Sequence, residues 1–230
     1  MRAVWVVLLA LAATTLGCNR GGSAGSGLVT HQAGAPLAGA RGVVVLLHGF
    51  GAPGNDLVGL AQELARAAPQ GTAFVMPEAP HRVGNGGAWF KKPEHVEEIR
   101  GALHVLVTNV MKEARVEPGR VVLGGFSQGA MMAAEVALHA RRPLGGVIMF
   151  SGKQVPGQDW STLAPRITST QFLITHGTAD SIIPFSAGVA VKTLLESAGV
   201  PVTFVEFNGV HTIAPEARAA AVEFLGRVLK

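Results

Sequence analysis

The stretch Val121-Val122-Leu123-Gly124-Gly125-Phe126-Ser127-Gln128-Gly129-Ala130 constrains the fold more than any other part of the chain. An apolar, β-branched run enters G-x-S-x-G, and the helix-compatible segment Met131 to Ala140 leaves it. The turn in such a passage is so tight that the serine backbone is strained, and glycines two residues to either side must remove the Cβ atoms that would clash. The Ser127 hydroxyl is thereby held above the end of a buried strand, at a helix N-terminus whose dipole favours developing negative charge. A bare G-x-S-x-G recurs by chance in glycine-rich chains, and this chain has 30 glycines in 230 residues. The strand before it and the helix after it give the motif its weight.

The rest of the chain from Leu28 onward repeats this alternation. Strand candidates are Val43 to Leu47, Ala73 to Met76, Val121 to Leu123, Gly146 to Phe150, Phe172 to Thr175 and Val202 to Phe207. Several are apolar throughout, as strands buried on both faces are. Leu57, Leu60, Ala61, Leu64, Ala65 and Ala68 recur at helical spacing, as do Val222, Leu225, Val228 and Leu229. This predicts one α/β domain over residues 28–230, a mostly parallel central sheet with helices on both faces. With 48% apolar residues there is ample material for its core.

A serine hydroxyl is a poor nucleophile until a base takes its proton, and the base needs an acid to fix its tautomer and stabilise the imidazolium. In this type of fold the order along the chain is serine, acid, histidine. After Ser127 come His139, His176 and His211. His139 falls in the helix after the turn and His176 precedes every well-placed acid, so His211, between the last strand and the last helix, is the expected base. The chain has three aspartates, and Asp56 precedes the serine. Asp180 follows a strand and a turn, at the sheet edge where Ser127 also lies. Asp159 reads as a solvated loop residue, and Glu206, inside a strand, is the fallback.

Acyl transfer also needs donors for an oxyanion. The backbone N–H of Gln128 supplies one, and the loop His48-Gly49-Phe50-Gly51 after an early strand supplies the second, expected from Phe50. His48 and His176 each stand between a strand and a glycine and read as structural hydrogen-bonders.

These residues, together with Pro77 to Pro80, Ala88-Trp89-Phe90, His176-Gly177-Thr178-Ala179-Asp180 with Pro184, and Gly209-Val210-His211, resemble the phospholipase/carboxylesterase family of α/β-hydrolases, which includes the acyl-protein thioesterases. The likeness spans roughly residues 42–229. It implies an α/β-hydrolase fold, a short- to medium-chain ester or thioester substrate, no metal and no cofactor. It carries Ser127, Asp180 and His211 over as catalytic triad and Phe50 and Gln128 as oxyanion donors. Trp89 and Phe90 are expected either to line the substrate pocket or to fill core. Met131 and Met132 are expected to pack. Lys91-Lys92 follow the Trp-Phe pair where the family often has an aspartate, which implies a basic pocket rim.

The N-terminus carries a separate expectation. Arg2, the apolar run Ala3 to Ala13 and Thr14 to Gly17 have the layout of a signal peptide over residues 1–17. Leu16-Gly17-Cys18 resembles a bacterial lipobox, which makes Cys18 a lipid-bearing residue and residues 18–27 a flexible tether. The expected location is therefore outside the cytoplasm, as a membrane-anchored bacterial lipoprotein, or as a periplasmic or secreted protein if cleavage is ordinary. The membrane is expected to be met only through that anchor.

A net charge of +4, with no basic run longer than Lys91-Lys92 and Arg141-Arg142, argues against nucleic-acid binding. A polyester depolymerase or peptidase on the same triad, and a non-catalytic binding protein of this fold, are the competing readings.

Overall fold

The computed structural model describes residues 20–22 and 26–230. Eight strands form its main sheet: β1 (Arg20–Gly22), β2 (Val29–Gly34), β3 (Gly42–Leu47), β4 (Thr72–Pro77), β7 (Val121–Phe126), β8 (Gly146–Phe150), β9 (Gln171–Gly177) and β10 (Val202–Phe207). Their order is β1-β2-β4-β3-β7-β8-β9-β10. β4 through β10 run parallel, and β1 and β2 form an antiparallel edge. A separate hairpin, β5 (His81–Val83) and β6 (Gly86–Ala88), follows β4. Arg20–Gly22 fall inside the stretch expected to be a tether, yet their backbone pairs with Val29, Thr30 and His31.

Five helices cover the sheet: α1 (Val58–Ala67), α2 (Pro93–Ala114), α3 (Gln128–Leu138), α4 (Phe185–Ser197) and α5 (Pro215–Val228). Successive strand residues point to opposite faces, and the two cores divide accordingly. Val43, Val45, Leu47, Leu123, Met149 and Ile174 face α2, α3 and α4. Val44, Leu46, Val122, Ile148, Phe150 and Leu173 face α1 and α5. Helices thus lie on both faces, as the sequence pattern predicts.

α3 is buried along its whole length, wedged between the sheet and α2. Even Glu135 is fully buried there. An unpaired charge in that position would be prohibitive, and its carboxylate accepts 2.8 Å and 2.6 Å hydrogen bonds from Arg100 Nη1 and Trp160 Nε1. The helix that begins at Ser127 is therefore held rigidly against the centre of the sheet.

Candidate active site

Ser127 stands between β7 and α3 with φ 54° and ψ −118°, a left-handed backbone that a non-glycine residue holds only where its surroundings enforce it. The turn is enforced from both sides. The Ser127 N–H donates to Phe150 O at 2.9 Å, and the Ser127 carbonyl accepts from Met131 N–H at 3.1 Å. A Cβ at Gly125 would lie 2.5 Å from Leu47 O, and one at Gly129 would lie 2.0 Å from the same oxygen. The two motif glycines are required because β3 passes directly against the turn.

Asp180 and His211 come to the same end of the sheet from the loops after β9 and β10. His211 Nδ1 donates to Asp180 Oδ2 at 2.6 Å, and the Asp180 side chain is fully buried. The other carboxylate oxygen, Oδ1, accepts the N–H groups of Ile182 and Ile183, both at 2.9 Å. Burial alone would raise the Asp180 carboxyl, but the hydrogen bonds from His211, Ile183 and Ile182 outweigh it and hold its pKa below the usual carboxylate value. The two loops are also bonded to each other, Ala179 N–H to Gly209 O at 2.9 Å. The Phe126 ring packs on the His211 imidazole with centroids 4.7 Å apart.

The loop expected to supply the second oxyanion donor is fixed by residues from three other segments. His48 Nε2 accepts from Ala79 N–H at 3.0 Å, so the ring proton sits on Nδ1 and is donated to Gly49 O at 2.9 Å. Burial lowers the His48 pKa, which keeps that neutral tautomer in place. Gly51 N–H bonds to Gly87 O and Ala52 N–H to Gly49 O, on the two sides of Phe50 in sequence. The Phe50 side chain is exposed.

Trp89 is fully buried, and its indole N–H donates to His48 O at 2.8 Å. It thereby braces the His48 to Gly51 loop. Phe90 is only partly buried. Met131 and Met132 lie in the core, as expected. Asp159 is exposed and bonded to Ser161, as a solvated loop residue is. Lys91 caps the hairpin by donating from Nζ to Arg82 O.

Three sets of side-chain contacts also support this site. The Gln128 side chain accepts from Trp89 N–H at 2.8 Å and donates to Phe90 O at 2.7 Å. Ser151, with φ 50°, donates its N–H to Thr175 O at 2.8 Å and its hydroxyl to Thr212 O at 3.4 Å, next to His211. His176 donates from Nε2 to Ile183 O at 2.8 Å, and the same nitrogen lies 3.4 Å from Asp180 Oδ2. Only His176 carried a signal, the strand-histidine-glycine setting already read as structural.

A parallel sheet with helices on both faces, carrying G-x-S-x-G on a strained turn after its central strand, defines an α/β-hydrolase. The chain belongs to the phospholipase/carboxylesterase family, whose model matches residues 34–229. Its relatives include acyl-protein thioesterase 1 of Kluyveromyces lactis, 30% identical over 213 residues covering 83% of this chain and 93% of that protein. Acyl-protein thioesterase 1 of Saccharomyces cerevisiae is 29% identical over 69% of this chain and 79% of its own length. Among solved structures, that of esterase PE8 superposes with a TM-score of 0.75 at 30% identity, covering 86% of this chain and 97% of the other.

These relatives correct the expected location. The matched acyl-protein thioesterases are proteins of eukaryotes and not exported bacterial lipoproteins, so the reading of an exported, lipid-anchored protein is withdrawn. Residues 1–17 and Cys18, on which that reading rested, lie outside the described residues.

Proposed function

We propose that this protein hydrolyses carboxylic esters or thioesters of short to medium acyl chains through an acyl-enzyme on Ser127. The observation that carries the reading is the 2.6 Å His211–Asp180 bond at the same sheet edge as the strained Ser127 turn. His211 takes the Ser127 proton as Oγ attacks the acyl carbon, and buried Asp180 stabilises the imidazolium so formed. The Phe50 and Gln128 N–H groups receive the oxyanion, the second at the N-terminus of α3. Collapse of the tetrahedral adduct expels the alcohol or thiol with the proton from His211. Water, deprotonated by His211, then releases the acid and restores Ser127.

The thioester alternative draws its support from the likeness to the acyl-protein thioesterases of Kluyveromyces lactis and Saccharomyces cerevisiae. Phe50, itself an oxyanion donor, Ile182, whose N–H binds Asp180, and Val210, next to His211, are exposed and apolar, which suits an acyl chain lying across the site. Phe90 is the partly buried aromatic proposed to meet it.

The test is labelling by a fluorophosphonate and release of p-nitrophenol from acyl esters of increasing length. Ser127→Ala is expected to abolish both, and Asp180→Asn to lower kcat by on the order of 10⁴. Unlabelled Ser127 in folded protein would overturn the reading.

A further inference from the structure

A cavity of about 640 Å³ opens at the C-terminal end of α3, between α2 and the segment leading into β8. α3 has 11 residues, so this cavity and Ser127 sit at opposite ends of a rod about 16 Å long. It takes no part in the chemistry proposed above. Its volume lies within the range of small-molecule sites, roughly 300–1,000 Å³. Val107, Val136 and Leu144, all buried in the core, form its floor, with Met111 and Ala140 beside them.

Its charge is one-sided. Lys112, Arg141, Arg142, His104 and His139 line it, and no aspartate or glutamate does. Arg142 is paired with Glu117 at 3.0 Å, whereas Lys112 and Arg141 have no carboxylate partner among the described residues. His104 has its pKa lowered, by burial first and then by the charges of His139, Arg100 and Arg141, against the opposing charge of Glu135.

An apolar floor under an unneutralised cationic rim complements an amphiphilic anion. We infer that this groove binds the carboxylate of a medium-chain fatty acid, tail on the Val107–Val136–Leu144 floor and head group against Lys112 and Arg141. An anionic bilayer would meet the same cations, but a concave floor formed by core side chains suits a single inserted chain better than a flat surface. The choice of an acyl carboxylate rests on the proposed reaction, which releases that class of product. A fatty acid held here would couple product concentration to the rigid helix that begins at Ser127.

The test is calorimetric titration of the whole protein with laurate, dodecanol and acetate. Laurate is expected to bind, with dodecanol and acetate each at least tenfold weaker. The double variant Lys112→Glu/Arg141→Glu, both exposed positions, is expected to weaken laurate at least tenfold while leaving p-nitrophenyl acetate hydrolysis unchanged. Unaltered laurate affinity in the double variant would place binding elsewhere, the Ser127 cleft included, and overturn the inference. Binding to phosphatidylglycerol vesicles without binding to free laurate would overturn it in favour of a membrane surface. Labelling of Ser127 is read separately, so loss of the proposed activity and loss of this site give different results.

Discussion

The side-chain amide of Gln128 forms two hydrogen bonds with the backbone of Trp89 and Phe90, accepting at 2.8 Å and donating at 2.7 Å. Trp89 in turn holds the loop containing Phe50 through His48 O. One residue thus offers a backbone N–H to the proposed oxyanion and ties together the two segments that must stay in register for the other donor.

Gln128→Leu keeps the backbone donor and most of the volume but leaves the Trp89 N–H and Phe90 carbonyl without their partner. Each orphaned group costs about 1–3 kcal/mol. The expected result is a folded protein with a lower Tm, and kcat/KM reduced by on the order of a hundredfold through misplacement of the hairpin and loop. Gln128→Glu, which can still accept from Trp89 but cannot donate to Phe90, is expected to fall between. Equal kcat/KM in wild type and Gln128→Leu would remove the clamp from the mechanism.

His176 bears on Asp180 in the same indirect way. Its Nε2–H binds Ile183 O, so Nδ1 is left as a buried acceptor without a partner, 2.5 Å from where a Cβ on Gly188 would sit. His176→Phe removes the tie between β9 and the Asp180 loop. As a positioning residue His176 is expected to affect kcat on the order of tenfold with KM little changed. A change in Tm alone, with kcat retained, would reduce it to a structural role.

How much of this could be read in advance depended on burial. Five of the six expected strands are buried on both faces and carry an apolar signature; β10, at the sheet edge, is only partly buried, and all six are present. β2, second from the sheet edge and of sequence VTHQAG, is half exposed, and β5 and β6 are three residues each, so neither period nor hydrophobicity marks them. α2 spans 22 residues and was missed because its polar face dilutes the apolar stripe Val96, Ile99, Leu103, Leu106, Val110. The triad candidates were legible because each follows a strand in a fixed order. The supporting contacts were not, since Gln128, Ser151 and His176 act through backbone groups distant in sequence, and a backbone acceptor has no residue type to recognise. A tryptophan suits pocket and core alike, so the residue type of Trp89 does not choose between them.

The glycines separate positions where space is required from those where it is not. Gly129→Ala would drive a Cβ to within 2.0 Å of Leu47 O and 2.4 Å of Leu47 C, both backbone atoms that cannot move aside. It is expected to prevent folding or to cost more than about 4 kcal/mol. Gly101, on α2, meets nothing within 4 Å. Gly101→Ala is expected to stabilise by about 0.5–1 kcal/mol, measured as a higher urea midpoint. Soluble, cooperatively folded Gly129→Ala would mean that β3 does not pass against the turn as described.

The pH dependence of stability follows from three histidines, of which His48 is buried and His81 and His104 are partly buried. His48 has a folded pKa below its unfolded value, as do His81 and His104, with burial the largest cause in each. Between the folded value and about 6.5 the unfolded chain binds more protons, so stability increases with pH through that window. It is fully present above about pH 6.5 and falls as the solution is acidified. Asp180 acts in a lower window. Its depressed pKa stabilises the fold above about pH 3.9, and that contribution is lost as pH falls through the folded value. Urea midpoints are therefore expected to decline from pH 7.5 to 5.5 in wild type, and less steeply in His48→Gln. An identical midpoint decline in the variant would assign the sensitivity to His81 and His104 and leave His48 uninvolved.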